Sequence, residues 1–150
     1  MADVADNVLE FIPWKSVGKF ELNSDIKNYQ FPKQNWEYGE KDEFGDEFYR
    51  ATDNSLTISF QNNKVHNIFC YETLMYQGVN LIGLTIDEFK HITQSDYVGD
   101  VDVLDFEDDD YPQSVYEFED IGAQVWEKQG KIVTIIVAGK DSYSDEPTDD

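Results

Sequence analysis

The chain has 150 residues, 32 of them acidic and 11 basic, for a net charge of -21. Hydrophobic residues make up 40% and aromatics 15%, too many for a disordered chain and enough for one ordinary core. Such a charge argues against a nucleic-acid binder, which needs a Lys/Arg surface, and against contact with anionic membrane; it favours a basic partner.

The first six residues, Met1 to Asp6, hold neither a positive region nor an apolar run of signal-peptide length. No stretch approaches the ~20 apolar residues of a membrane helix. A cytoplasmic protein is expected.

In chain order, Val17 to Leu22 reads as a strand and Asn23 to Tyr29 as a short helix. Pro32 to Phe48, with Trp36, Tyr38, Gly39 and Gly45, reads as an irregular connection. Leu56, Ile58 and Phe60 alternate with polar residues, as in a half-buried strand. Gln61 to Lys64 makes a turn, and Val65 to Tyr71 returns. Val79 to Leu84 is a second leading strand, set off by Tyr76, Gln77 and Gly78. Leu84 to Lys90 is a short helix, with Thr85 as N-cap and Glu88 three residues on. Ser95 to Gln113 reads as a connection. Ala123 to Trp126 leads into a turn at Lys128 to Lys131. The apolar run Ile132 to Val137 suits a central strand. The tail, 141–150, holds five acids and is expected to be disordered.

A shift of 67 residues aligns two segments without a gap. Tyr49 and Tyr116, Asp53 and Asp120, and Lys64 and Lys131 are identities. Ile58 and Val125, Val65 and Ile132, Ile68 and Ile135, and Cys70 and Val137 are conservative matches. Asn63 and Gly130 share the turn position, and both residue types tolerate positive φ. The expected fold class is α+β: two pseudo-repeats of strand, short helix and antiparallel β-hairpin, sharing a mainly antiparallel sheet. Residues 1–140 are expected to form one domain, with repeats at about 15–75 and 76–140.

The charge is uneven. Residues 1–75 hold 13 acids and 7 bases, and residues 76–150 hold 19 acids and 4 bases. Ser95 to Asp120 has eleven acids and no base. Its centre, Asp100, Asp102, Asp105, Phe106, Glu107, Asp108, Asp109, Asp110 and Tyr111, reads as a docking surface for a basic protein or as a solvated loop. Aromatics beside charges favour docking, and Trp36 and Tyr38 are further candidate anchors. An EF-hand is excluded. The acids miss the 1, 3, 5 spacing, the sixth position has no glycine, and the twelfth has no bidentate Glu.

Catalysis is not expected. Gly-x-Ser-x-Gly, the P-loop and Gly-x-Gly-x-x-Gly are all missing. Asp53 and Asp120 read as turn residues and His91 as a surface residue. Cys70, the one cysteine, sits in an apolar run and reads as a small buried hydrophobe. His66 lies four residues earlier, which on a strand means the same face but roughly 13 Å away. No catalytic residue, metal ligand or cofactor is assigned.

Gly83 to Phe89, followed by a hairpin, resembles the helix-and-sheet repeat of small outer-membrane assembly lipoproteins and of beta-lactamase inhibitor proteins. Their export signals are not expected here, since Met1 to Asp6 show no such pattern. The opening Phe11 to Phe20, in a small, very acidic, cysteine-poor chain with no catalytic set, resembles immunity proteins of bacterial toxin systems, including contact-dependent growth inhibition. That resemblance implies a cognate basic toxin domain, usually a nuclease, bound 1:1 without direct contact to nucleic acid. The alternatives are a DNA mimic directed at a DNA-binding protein, a generic adaptor, and an enzyme with carboxylate chemistry.

Overall fold

The computed structural model describes residues 9–40, 43, 45–105, 107 and 110–138. The expected tail at 141–150 lies outside them. The described chain is mostly antiparallel β-sheet with one short α-helix. Eight strands make the main sheet: β4 (Trp36–Gly39), β5 (Asp46–Ala51), β6 (Leu56–Gln61), β7 (Lys64–Cys70), β10 (Val98–Leu104), β11 (Gln113–Phe118), β12 (Ala123–Lys128) and β13 (Lys131–Ala138). Their spatial order is β10-β11-β12-β13-β7-β6-β5-β4, so two meanders meet where β13 pairs with β7. Three short strands, β1 (Phe11–Ile12), β2 (Ser16–Val17) and β3 (Phe20–Glu21), form a second sheet. β8 (Met75–Tyr76) and β9 (Val79–Asn80) form a hairpin.

One face of the main sheet carries the core. Leu56, Ile58 and Phe60 of β6, Val65, Ile68 and Cys70 of β7, Ala123 and Val125 of β12, and Ile132, Ile135 and Val137 of β13 are all buried. A 3-10 turn (Ile26–Asn28) and helix α1 (Ile86–Thr93) supply Ile26, Ile86 and Phe89 to the same cluster. Each fully buried side chain of this size contributes about 1.5–3 kcal/mol. Ile86, Phe89 and Thr93 recur at helical spacing, so a helix of only eight residues buries a single stripe. The capping box at its start is complete: Glu88 N–H donates to Thr85 Oγ1 at 3.1 Å, and Thr85 N–H donates to Glu88 Oε1 at 3.0 Å. Thr85→Ala is expected to cost about 1 kcal/mol in urea unfolding, with no change in the denaturant slope.

The two hairpins are built alike. β5 and β6 pair Tyr49 with Ile58 and Arg50 with Thr57; β11 and β12 pair Tyr116 with Val125 and Glu117 with Gln124. A bulge follows Ser59 where β6 pairs with β7 and Trp126 where β12 pairs with β13. Each of these correspondences is a shift of 67. Upstream the shift becomes 60. Asn23 N–H donates to Val65 O and Val65 N–H to Ser24 O, while Gly83 N–H donates to Ile132 O and Ile132 N–H to Leu84 O. The N-caps Asp25 and Thr85 follow at the same offset.

Several elements differ from expectation. The strands expected at 17–22 and 79–84 shrink to β3 and β9, which stay outside the main sheet. The first helix is a single 3-10 turn, because Asp25 caps only Lys27 N–H before Tyr29 turns extended. Two supposed connections hold strands. β4 lies within 32–48, and β10 lies within 95–113; ladder pairing with β5 and β11 overrides local composition there. Cys70 and His66 do not share a face. His66 is the extra residue of the β7 bulge, between Val65 opposite Phe60 and Asn67 opposite Ser59, so parity reverses.

Candidate functional site

The uncovered face of the sheet is crossed by one ladder row. It runs Glu37, Arg50, Thr57, Phe69, Ile136, Gln124, Glu117, Val98. Arg50 Nη2 meets Glu37 Oε1 at 2.8 Å. Glu117, at the equivalent place in the other half, accepts from Gln124 Nε2, and Gln124 Oε1 accepts from Trp126 Nε1 at 2.8 Å. A groove of about 800 Å³ opens on this face between Lys64 and His66 on one side and Glu117 and Glu119 on the other. Its mixed charge selects no single ligand sign. Among the described residues, no group of three His, Cys, Asp or Glu is arranged to hold a metal ion. No helix among them is long and apolar enough to cross a membrane.

The edge of the sheet is more distinctive. β10 is its last strand, exposed at six of its seven positions. Asp100 and Asp102 lie on it, and Asp105, Glu107, Asp110 and Tyr111 follow in the exposed connection to β11. Phe106, Asp108 and Asp109 lie outside the described residues. Six large hydrophobic side chains are exposed in the described chain, and four belong here: Val98, Val103, Leu104 and Tyr111. Val103 is the most open, at 60%. The register sets Val98, Asp102 and Leu104 on the uncovered face and Val103 on the other. Exposed apolar side chains are thus concentrated at one edge of the sheet, set between carboxylates.

Trp36 and Tyr38 do not join it. Trp36 is only 7% exposed; its ring packs edge-on against Phe31 and Phe20 in an aromatic cluster that closes the core beneath β4. That burial corrects its expected role as an anchor. Tyr38 is exposed, but β4 is the opposite edge, seven strand spacings and so roughly 30 Å from β10. Its hydroxyl donates to Glu47 Oε2, and that bond pushes the phenol up to about 12. Sequence reasoning missed Val98, Val103 and Leu104. The alternation of aspartate with valine from Asp100 to Val103 was the available signal, hidden by the density of acids.

The turn readings of the two repeated aspartates fit their contacts. Asp53 Oδ1 accepts from Ser55 N–H and Oγ, and Asp120 accepts from Ser95 Oγ through its carboxylate and from Trp14 Nε1 through its carbonyl. Gly122 beside it has φ +68, and a Cβ there would meet Ala138 O and the Trp14 ring at 2.9 Å. Only glycine fits that approach.

Cys70 is fully buried, and burial pushes its thiol from 9.0 to about 12. It is no nucleophile at neutral pH. The unfolded chain would lose this proton first. The resulting stability is complete below about pH 9 and is lost as pH rises toward 12, at roughly 1.4 kcal/mol per pH unit. Urea unfolding at pH 8 and pH 10 is expected to show a steeper alkaline loss for the native chain than for Cys70→Ala. Parallel losses would contradict it.

Comparison with protein-family models, with curated proteins and with solved structures returns no match for this chain.

Proposed function

We propose that the protein is an immunity-type inhibitor that binds a basic toxin domain, a nuclease, in a 1:1 complex through β10 and the connection to β11. The observation that carries this reading is the coincidence, on one sheet edge, of Asp100, Asp102, Asp105, Glu107 and Asp110 with the exposed Val98, Val103, Leu104 and Tyr111. A nuclease holds a polyanion in a positive cleft. An acidic edge is drawn to such a cleft at rates far above those of neutral partners, and apolar side chains then supply contacts that persist once charges are desolvated. The cytoplasm, where an incoming nuclease would act, is the proposed compartment.

The test is inhibition. The purified chain is titrated into a panel of basic nuclease toxin domains, with cleavage and complex mass as readouts. Loss of cleavage at one equivalent of inhibitor supports the reading. Full cleavage at tenfold excess throughout the panel rejects it. Release of a DNA-binding protein from its DNA in a parallel assay would favour the DNA mimic.

We also propose that the two four-stranded halves are copies of one unit, each preceded by a hairpin turn and a capped helical turn. The central ladder supports this. Cys70 opposes Ile135 and Ile68 opposes Val137; a shift of 67 exchanges these pairs, and Phe69 opposes Ile136, its own counterpart. A local two-fold axis produces that pattern. Under it, β4 and β10 are equivalent edges that have diverged. Glu37 and Gly39 bracket one residue, whereas Val98 and Asp102, at the matching places, bracket three. Fold requirements alone would act alike on both copies, so the enlarged, acidic edge marks a specialised surface.

A further inference from the structure

We infer that β10 receives a β-strand from its partner, extending the eight-stranded sheet by one strand whose side chains alternate basic and apolar. This rests on the basic partner proposed above and adds the way it is held. Among the described residues, no strand lies on the outer side of β10. A strand there presents a row of backbone donors and acceptors, and such a row is a template for another chain. Most edge strands at least bury one side-chain face. β10 is exposed at six of seven positions, so its ladder with β11 is what holds it.

Side chains specify the occupant. Regular pairing on the inner side runs from Asp102 through Val103 to Leu104, opposite Val115, Ser114 and Gln113. Asp102 and Leu104 share the uncovered face and Val103 takes the other. An added strand that alternates therefore sets a Lys or Arg beside Asp102, an apolar residue beside Val103, and the aliphatic stem of the next Lys or Arg along Leu104, with directly opposed Cβ atoms about 4.5–5.5 Å apart. A second copy of this chain fits badly. Two such edges would bring Asp100, Asp102 and Asp105 of each against the same acids of the other, and like charges directly opposed are destabilising. The bulge between Val98 and Asp102, with Gly99 at φ +74, further spoils the edge upstream for extended self-pairing.

The experiment uses the full ¹⁵N-labelled chain and three synthetic eight-residue peptides. One alternates lysine and valine, one has the same sequence with every backbone nitrogen methylated, and one alternates glutamate and valine. Amide hydrogen exchange is read at Val101 to Leu104. The lysine–valine peptide is expected to slow the outward-facing amides there by about tenfold or more, with no effect from the other two. Val103→Lys, at an exposed position that leaves folding intact, is expected to remove the protection. Equal binding by the methylated peptide would overturn strand addition while leaving a basic partner in place. Protection by the glutamate–valine peptide as well would overturn the choice of a basic strand. Failure of all three to bind would overturn the strand proposal and count against the basic partner too.

Discussion

Replacing Asp100, Asp102 and Asp105 together by asparagine is expected to slow association with a basic toxin domain by about tenfold or more at low salt. The dependence of that rate on ionic strength should flatten in step, since screening acts over ~10 Å at 0.1 M salt. Stability should scarcely change, by about 0.5 kcal/mol or less. All three side chains are exposed, and the Arg50–Glu37 and Lys90–Asp96 ion pairs do not involve them. Stopped-flow association at several salt concentrations, beside urea unfolding of the same variant, separates the two effects. An unchanged rate with an unchanged salt slope would remove the edge from the binding surface. The variant carries a second expectation. With like charges no longer opposed, only the bulge at Gly99 still guards β10 against itself, so sedimentation should show more self-association than for the native chain.

The largest expected effect on stability comes from Phe89→Ala, at about 3–5 kcal/mol. Phe89 is wholly buried, and its ring meets Phe118 edge-on with centroids 4.7 Å apart. Phe118 in turn contacts Tyr97 at 5.9 Å, so the side chain ties α1 to β11 and to the segment leading into β10. Truncation leaves a cavity that a single short helix over a stiff sheet cannot collapse to fill. Against a typical total of 5–15 kcal/mol, this is a large share. An unfolding free energy lowered by less than about 1 kcal/mol in urea titration would show that α1 is peripheral to the fold. Loss of Phe89 should also loosen β10, which amide exchange at Val98 to Leu104 would register.

The hairpins were legible because their signals are local. Leu56, Ile58 and Phe60 alternate, Ile132 to Val137 is an apolar run, and Asn63 and Gly130 mark the turns; each became the element expected. The α1 cap was legible for the same reason, since Thr85 and Glu88 satisfy each other within one turn. The edge strands were not. Trp36 to Gly39 and Val98 to Leu104 contain glycine and acids that disfavour strands in isolation, and the backbone of β5 and β11 decides them. The bulge at His66 was equally hidden, because one unpaired residue reverses the face of everything beyond it.

Of the proposed contact surface, the chain itself determined the sign. Eleven acids without a base between Ser95 and Asp120 make that stretch anionic whatever the fold. Periodicity likewise determined that Leu56, Ile58 and Phe60 of β6 turn inward, since burial follows alternation along a regular strand. Tertiary structure alone decided which aromatic residues remain available. Trp36 and Tyr38 are two residues apart on β4, yet one closes the core and the other faces solvent, because Phe20 from β3 and Phe31 from the segment before β4 cover Trp36. It also decided that Asp100 and Asp102 lie on a sheet edge rather than in a free loop. That outcome depends on which strand lies last in the order, a property of long-range pairing that residues 98–104 do not carry by themselves.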